Sequence, residues 1–142
     1  MTVDHENVLR TETYRVRMSD VDGAGIIYYA NPLLWREGVF SSWLAEIGHP
    51  QISLIADRTS APCVSATSQY LRPLRLDDVV ELRLLAAAAG RTSFTTRFEV
   101  LDPGGELAVV VTSTSVWTRV TDAGMEPTPL PDWLREVLSS SR

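Results

Sequence analysis

The chain has 142 residues, 44% of them hydrophobic and 22% charged, with a net charge of −5. That length supports one domain with its own core, and the acidic balance argues against a nucleic-acid binder driven by phosphate contacts. No apolar run approaches membrane-spanning length, the polar start Met1–Arg10 lacks the apolar segment of a signal peptide, and the single cysteine, Cys63, has no partner for an internal disulfide, which points to a reducing, cytoplasmic setting.

Residues 1–10 read as a loose arm. From Thr13 to Met18 the chain alternates, with Tyr14, Val16 and Met18 on one face and Arg15 and Arg17 on the other, the pattern of a half-buried strand. Asp20 to Gly25 is a bend. Asn31 suits a helix N-cap and Pro32 the first helical position, where its missing N–H costs nothing. The helix is expected to run to about Ile47, with Gly48 ending it and Pro50 blocking continuation. At about 100° per residue, Leu33, Phe40, Leu44 and Ile47 form its core stripe, and Glu37 falls within that stripe. An acid there is costly unless it is paired, at an edge, or used.

Beyond residue 60 the pattern is that of strands. Pro62 to Leu71 is extended and Pro73 to Asp78 is a turn. Val79 to Ala86 alternates, Val80, Leu82 and Leu84 opposing Glu81 and Arg83. Thr92 to Leu101 turns Phe94, Phe98 and Val100 inward. Asp102-Pro103-Gly104-Gly105 is a hairpin turn. Glu106 to Val120 is a long strand with a buried middle at Val109–Val111, and a short helix, Pro131 to Leu138, closes the chain. One strand, a long helix and four hairpin-linked strands make an α+β design, an antiparallel sheet with the helix on one face. One helix does not cover such a sheet, so self-association is expected.

Asp22 has two readings from its surroundings. Asp-Gly is common turn chemistry; equally, a carboxylate held in a tight bend just before a helix N-terminus can act beside a partial positive charge that polarises a carbonyl. Asp20 suits the structural role in that bend. The Asp20/Asp22 pair lacks the further oxygen ligands of a calcium loop, and Gly23-Ala24-Gly25 lacks the third glycine of a dinucleotide fingerprint. His5, His49 and Cys63 show no metal-ligand spacing, so neither a metal nor another cofactor is called for. Cys63 reads as a small core residue and His49 as a turn residue. No Gly-x-Ser-x-Gly elbow exists. Arg72, Arg75 and Arg91 are each ordinary surface charges or, together, candidates for phosphate contacts.

The run Arg15-x-Arg17-x-x-Asp20-x-Asp22-x-Ala24-Gly25-Ile26-Ile27-Tyr28-Tyr29-x-Asn31 resembles the opening signature of hotdog-fold acyl-CoA thioesterases, in the 4-hydroxybenzoyl-CoA thioesterase-like group. Trp35, Gly48-x-Pro50, Arg91-Thr92-Ser93-Phe94 and Pro129-x-Pro131 agree with it, over about residues 13–133. The resemblance implies a single hotdog domain, a five-stranded antiparallel sheet wrapped around one long helix, assembled as a homodimer or homotetramer. It implies hydrolysis of an acyl-CoA or acyl-carrier-protein thioester with an aromatic or polyketide-like acyl group. Asp22 becomes the catalytic acid, as nucleophile or general base, and the Tyr29 N–H the donor to the thioester oxygen. Glu37, Trp35, Gly25 and Arg91 become substrate contacts. Rival readings are a hotdog hydratase or dehydratase, for which neither histidine is placed, and a non-catalytic acyl-binding module, which needs no carboxylate beside a thioester.

Overall fold

The computed structural model describes residues 8–140; the arm expected over residues 1–7, with His5, lies outside the described residues. Val8–Arg15 form strand β1, paired antiparallel with the fourth strand from Val8 opposite Leu85 to Arg15 opposite Val79. Residues 8–10 are therefore paired strand rather than loose arm, and Arg10 bridges Glu12 at 2.7 Å and Glu46 at 2.8 Å. The strand stops short of the expected Met18. Val16 is still buried, but Met18–Asp20 fold into one 3-10 turn and Met18 faces out.

Helix α1 spans Asn31–Glu46. Its end follows from Gly48, which sits at φ +89°, a conformation open to glycine without a Cβ penalty. The Gly48 N–H reaches the Ala45 carbonyl and the His49 N–H the Leu44 carbonyl, a Schellman closure. Its start differs from expectation. Ala30, not Asn31, is the cap, and no side chain caps the helix. The Asn31 amide is drawn inward to donate to the Asp20 carbonyl. The core stripe is also rotated from the expected one. Trp35, Arg36, Val39, Phe40, Trp43 and Leu44 are buried, whereas Leu33 and Glu37 are exposed. Buried pairs recurring every four residues leave Leu33 and Glu37 one position off the stripe.

A short helix absent from the sequence reading, α2, follows at Gln51–Ala56. The strands are β2 Thr59–Ser60, β3 Cys63–Tyr70, β4 Val79–Ala89, β5 Ser93–Leu101, β6 Leu107–Val116, β7 Thr118–Thr121 and β8 Gly124–Pro127, and α3 spans Asp132–Ser140. The main sheet is antiparallel in the order β1-β4-β5-β6-β3, and α1 packs on it against β4, β1 and β6. This is the expected five-stranded hotdog layer. Val80, Leu82, Leu84, Phe94, Phe98, Val100 and Val109–Val111 are buried, as the alternation predicts. The long final strand is instead broken at Trp117, whose N–H turns to the Thr92 carbonyl. Beyond it β7 joins a second, three-stranded sheet, β2-β7-β8.

β3 pairs only with β6 and stands at the sheet edge. Its residues are mostly exposed on both faces, Val64 to 62%. Cys63 is therefore exposed rather than a core residue, standing at the start of an edge strand.

Candidate active site

The two aspartates of the bend have different work. Asp20 is 7% exposed. Its Oδ2 accepts from the Tyr14 hydroxyl and, at 2.8 Å, from the Arg17 N–H, and its Oδ1 accepts from Trp35 Nε1 at 3.2 Å. Its carbonyl takes the Tyr28 N–H and the Asn31 amide. Asp20 thus fastens β1, the bend and α1 to one another, the structural role expected of it.

Asp22, two residues on, is exposed. Its Oδ1 accepts the Ala24 N–H at 2.8 Å, an Asx turn that fixes the carboxylate while Oδ2 takes no donor among the described residues. Gly25, at φ +78°, lets the chain double back, its N–H on the Asp22 carbonyl and its own carbonyl on the Leu76 N–H. The Ile27 N–H to the Leu74 carbonyl ties the bend to the loop before β4. The returning chain brings Tyr29 to the same hollow as Asp22. No main-chain acceptor takes the Tyr29 N–H among the described residues, and the Tyr29 carbonyl is held by the Tyr70 hydroxyl at the end of β3. Asp22, Ile26, Tyr29, Tyr70, Leu71 and Arg72 border a cavity of about 340 Å³ at the start of α1. Asp22 and Tyr29 thus border one cavity, and α1 begins two residues after Tyr29.

The other candidates divide. Trp35 is turned into the core, its ring 5.0 Å from Tyr14 and its N–H on Asp20; it borders neither cavity described here. It holds the acid bend in place rather than touching that space. Glu37 is not inward; its side chain is 58% exposed, at the edge of a second cavity of about 340 Å³ between α1, α2 and the start of β3. Arg91 precedes β5 where Ser93 opposes Val116, the sheet end remote from Tyr70 and Val109, so one chain does not bring it to Asp22. The cation that borders the Asp22 cavity is Arg72. His49 stacks on Trp133 at 3.8 Å and borders neither cavity.

Sequence reasoning missed Tyr70, for which a strand-end aromatic gives no signal without the fold. It also missed Arg36, which did carry one: it lies four residues from both Pro32 and Phe40, on the buried side of the helix.

Burial, with the Asp20 hydrogen bond, pushes the Tyr14 hydroxyl pKa up to about 12. The protonated phenol is thus favoured in the folded chain. Its contribution to stability is complete below about pH 10 and is lost as pH rises from there through about 12. Denaturant midpoints across that window are expected to fall further for the wild type than for Tyr14→Phe. Parallel falls would reject this linkage.

A long helix packed on a five-stranded antiparallel sheet in the order β1-β4-β5-β6-β3 is the hotdog architecture. The family model of the thioesterase-like superfamily matches residues 16–138, and the chain belongs to that superfamily. A 1,4-dihydroxy-2-naphthoyl-CoA hydrolase of Synechococcus elongatus is 28% identical over 125 residues, covering 87% of this chain and 90% of its own. The acyl-CoA thioester hydrolase YbgC of Escherichia coli is 31% identical over 85 residues, 58% of this chain and 63% of that one. Among solved structures, a gentisyl-coenzyme A thioesterase superposes with a TM-score of 0.79 at 27% identity, covering 89% of this chain and 99% of its own. The protein is a thioester hydrolase of the hotdog class. No helix among the described residues is long and apolar enough to cross a membrane.

Proposed function

We propose that the enzyme hydrolyses an acyl-CoA thioester whose acyl group is aromatic or similarly extended, releasing the free acid and the thiol. The observation that supports the site is that Asp22, whose Oδ2 takes no donor among the described residues, and Tyr29, whose N–H has no main-chain acceptor among them, border the same cavity. The aryl-CoA activities named for the sequence relatives and for the gentisyl-CoA enzyme support the acyl class. The Tyr29 N–H and the α1 N-terminus draw charge onto the thioester oxygen. Asp22 then acts in one of two ways. It takes a proton from the attacking water, or it attacks the carbonyl carbon to give an anhydride that water opens. In each, a C–O bond forms, the C–S bond breaks, and the thiolate leaves to be protonated. Single turnover in ¹⁸O-water bears on the routes, since label in the Asp22 carboxylate arises only from an anhydride that water opens at the aspartyl carbonyl, whereas the general-base route puts all of it in the released acid. A panel of acyl-CoA and acyl-carrier thioesters tests the reading as a whole; no hydrolysis above the Asp22→Asn background would overturn it.

The working unit is a homodimer or higher assembly in the cytoplasm. An edge strand that exposes Val64 and an unpaired row of main-chain groups invites pairing with a second copy, and the exposed thiol of Cys63 suits a reducing compartment. Sedimentation at micromolar concentration is expected to give at least a dimer. A fully active monomer would refute this.

Glu37 at the rim of the second cavity is expected to act on selectivity more than on stability. Glu37→Gln should alter the ratio of kcat/KM between a hydroxylated and a plain acyl thioester, with little change in melting temperature. An unchanged ratio removes Glu37 from the site.

A further inference from the structure

Helix α1 buries a cation that its surroundings compensate only in part. Arg36 is 7% exposed. Its Nη2 donates to Thr96 Oγ1 at 3.0 Å, and Thr96 in turn meets Ser113 Oγ at 3.2 Å, both neutral hydroxyls. Nη1 lies 3.5 Å from Glu37 Oε2, on a side chain that faces water. The guanidinium carbon stands 4.5 Å from the centre of the Phe40 ring, and the buried Nε has no partner. Arginine carries five N–H donors, and buried charges are ordinarily fully paired.

Arg36 forms part of the wall of the second cavity. Its volume of about 340 Å³ lies within the range of small-molecule pockets, roughly 300–1,000 Å³. Phe40, Leu54 and Trp117 give it apolar walls, and Ser60 and Ser115 add hydroxyls. A path leads to it from the catalytic end. Leu33, 39% exposed, precedes Glu37 by four residues and lies on the same side of α1, between Asn31 and Glu37. At about 1.5 Å per residue, Glu37 is only ~9 Å along the helix from Asn31. An acyl group with its carbonyl at the start of α1, lying along that side, arrives at the cavity mouth.

We propose that this cavity receives the far end of the acyl group and that Arg36 selects acyl groups bearing an oxygen acceptor there, a hydroxyl, ketone or carboxylate, over bare hydrocarbon. This rests on the thioesterase reading and names a specificity-determining residue within it. A guanidinium lacking full partners gains a charge-assisted hydrogen bond from such an oxygen, and a hydrocarbon leaves it without one.

The test compares kcat/KM for 4′-hydroxybiphenyl-4-carbonyl-CoA and biphenyl-4-carbonyl-CoA, whose two rings span the distance from the start of α1 to Glu37. The wild type is expected to prefer the hydroxylated substrate by about tenfold or more, Arg36→Met to bring the ratio within roughly threefold of unity, and Arg36→Lys to keep part of the preference. A ratio that Arg36→Met leaves unchanged overturns the proposal. Cys63 gives a second measurement that needs neither catalysis nor a folded variant. It is the only cysteine, it is exposed, and it borders the same cavity. Methyl 4-hydroxybenzoate is expected to slow its alkylation by iodoacetamide in the wild type more than methyl benzoate does, the esters keeping any carboxylate from competing for Arg36. Equal protection by the two esters overturns the proposal. Absence of hydrolysis of every thioester strikes the thioesterase reading instead, and the Cys63 measurement still decides the cavity.

Discussion

Asp22→Asn is expected to lower kcat by roughly 10²–10⁴-fold while leaving the fold intact. The two halves of that expectation have separate causes. The structural duty of Asp22 is carried by Oδ1, which accepts the Ala24 N–H; an asparagine oxygen accepts the same bond, so the bend survives. In the proposed mechanism the chemical duty falls to Oδ2, and an amide nitrogen neither attacks a carbonyl nor takes a proton from water. KM for the thioester is expected to move little, because the Tyr29 N–H and the helix N-terminus remain. Steady-state rates beside a melting curve check both halves. A variant that keeps more than half the wild-type rate removes Asp22 from the chemistry.

Asp20→Ala is expected to do the reverse. Three donors lose their acceptor at once: the Tyr14 hydroxyl, the Arg17 N–H and the Trp35 indole N–H. Asp20 and Trp35 are buried, so water does not replace the lost partner freely. Leaving buried donors unsatisfied costs about 1–3 kcal/mol each. Tyr14 and Arg17 are nearer the surface and recover part of theirs, so the total is put at roughly 3 kcal/mol. For a chain near this length that lowers Tm by roughly 6–12 °C. Thermal melts of Asp20→Ala and Asp22→Asn, run together, test the division of labour. Comparable Tm losses in the two variants would show that the bend does not divide its acids this way.

The bend was legible because its signals are local. A strand pattern ending in Asp-x-Asp, glycines that permit a reversal, and a proline near a helix start depend on φ/ψ preference and on neighbours a few residues apart. The alternation of Val80, Leu82 and Leu84, or of Phe94 and Phe98, is local in the same sense, since a strand's period of two is fixed by its own backbone. The Asp-Pro-Gly-Gly turn joining β5 to β6 is equally so. What failed were judgements about which face meets what. Leu33 and Glu37 fit an apolar stripe on a helical wheel, but the rotation of α1 is set by the Trp35–Asp20 bond and by the sheet beneath. Cys63 has a core residue's chemistry, but it stands at the start of an edge strand.

By itself, then, the sequence determined the element order through most of the chain and the bend that carries Asp20 and Asp22, and its resemblance to the hotdog thioesterases pointed to the family. Only the tertiary structure decided how the two aspartates divide. Both are the same side chain in the same turn, and the difference lies in Tyr14 and Trp35 arriving from β1 and α1 to claim one of them. It decided too that Arg91 lies at the far end of the sheet from Asp22, because strand register, not sequence distance, fixes which ends adjoin. And it decided that Arg36 is buried beside Thr96, a residue 60 positions away in sequence, where packing against a neighbouring strand creates a charge environment that no local pattern encodes.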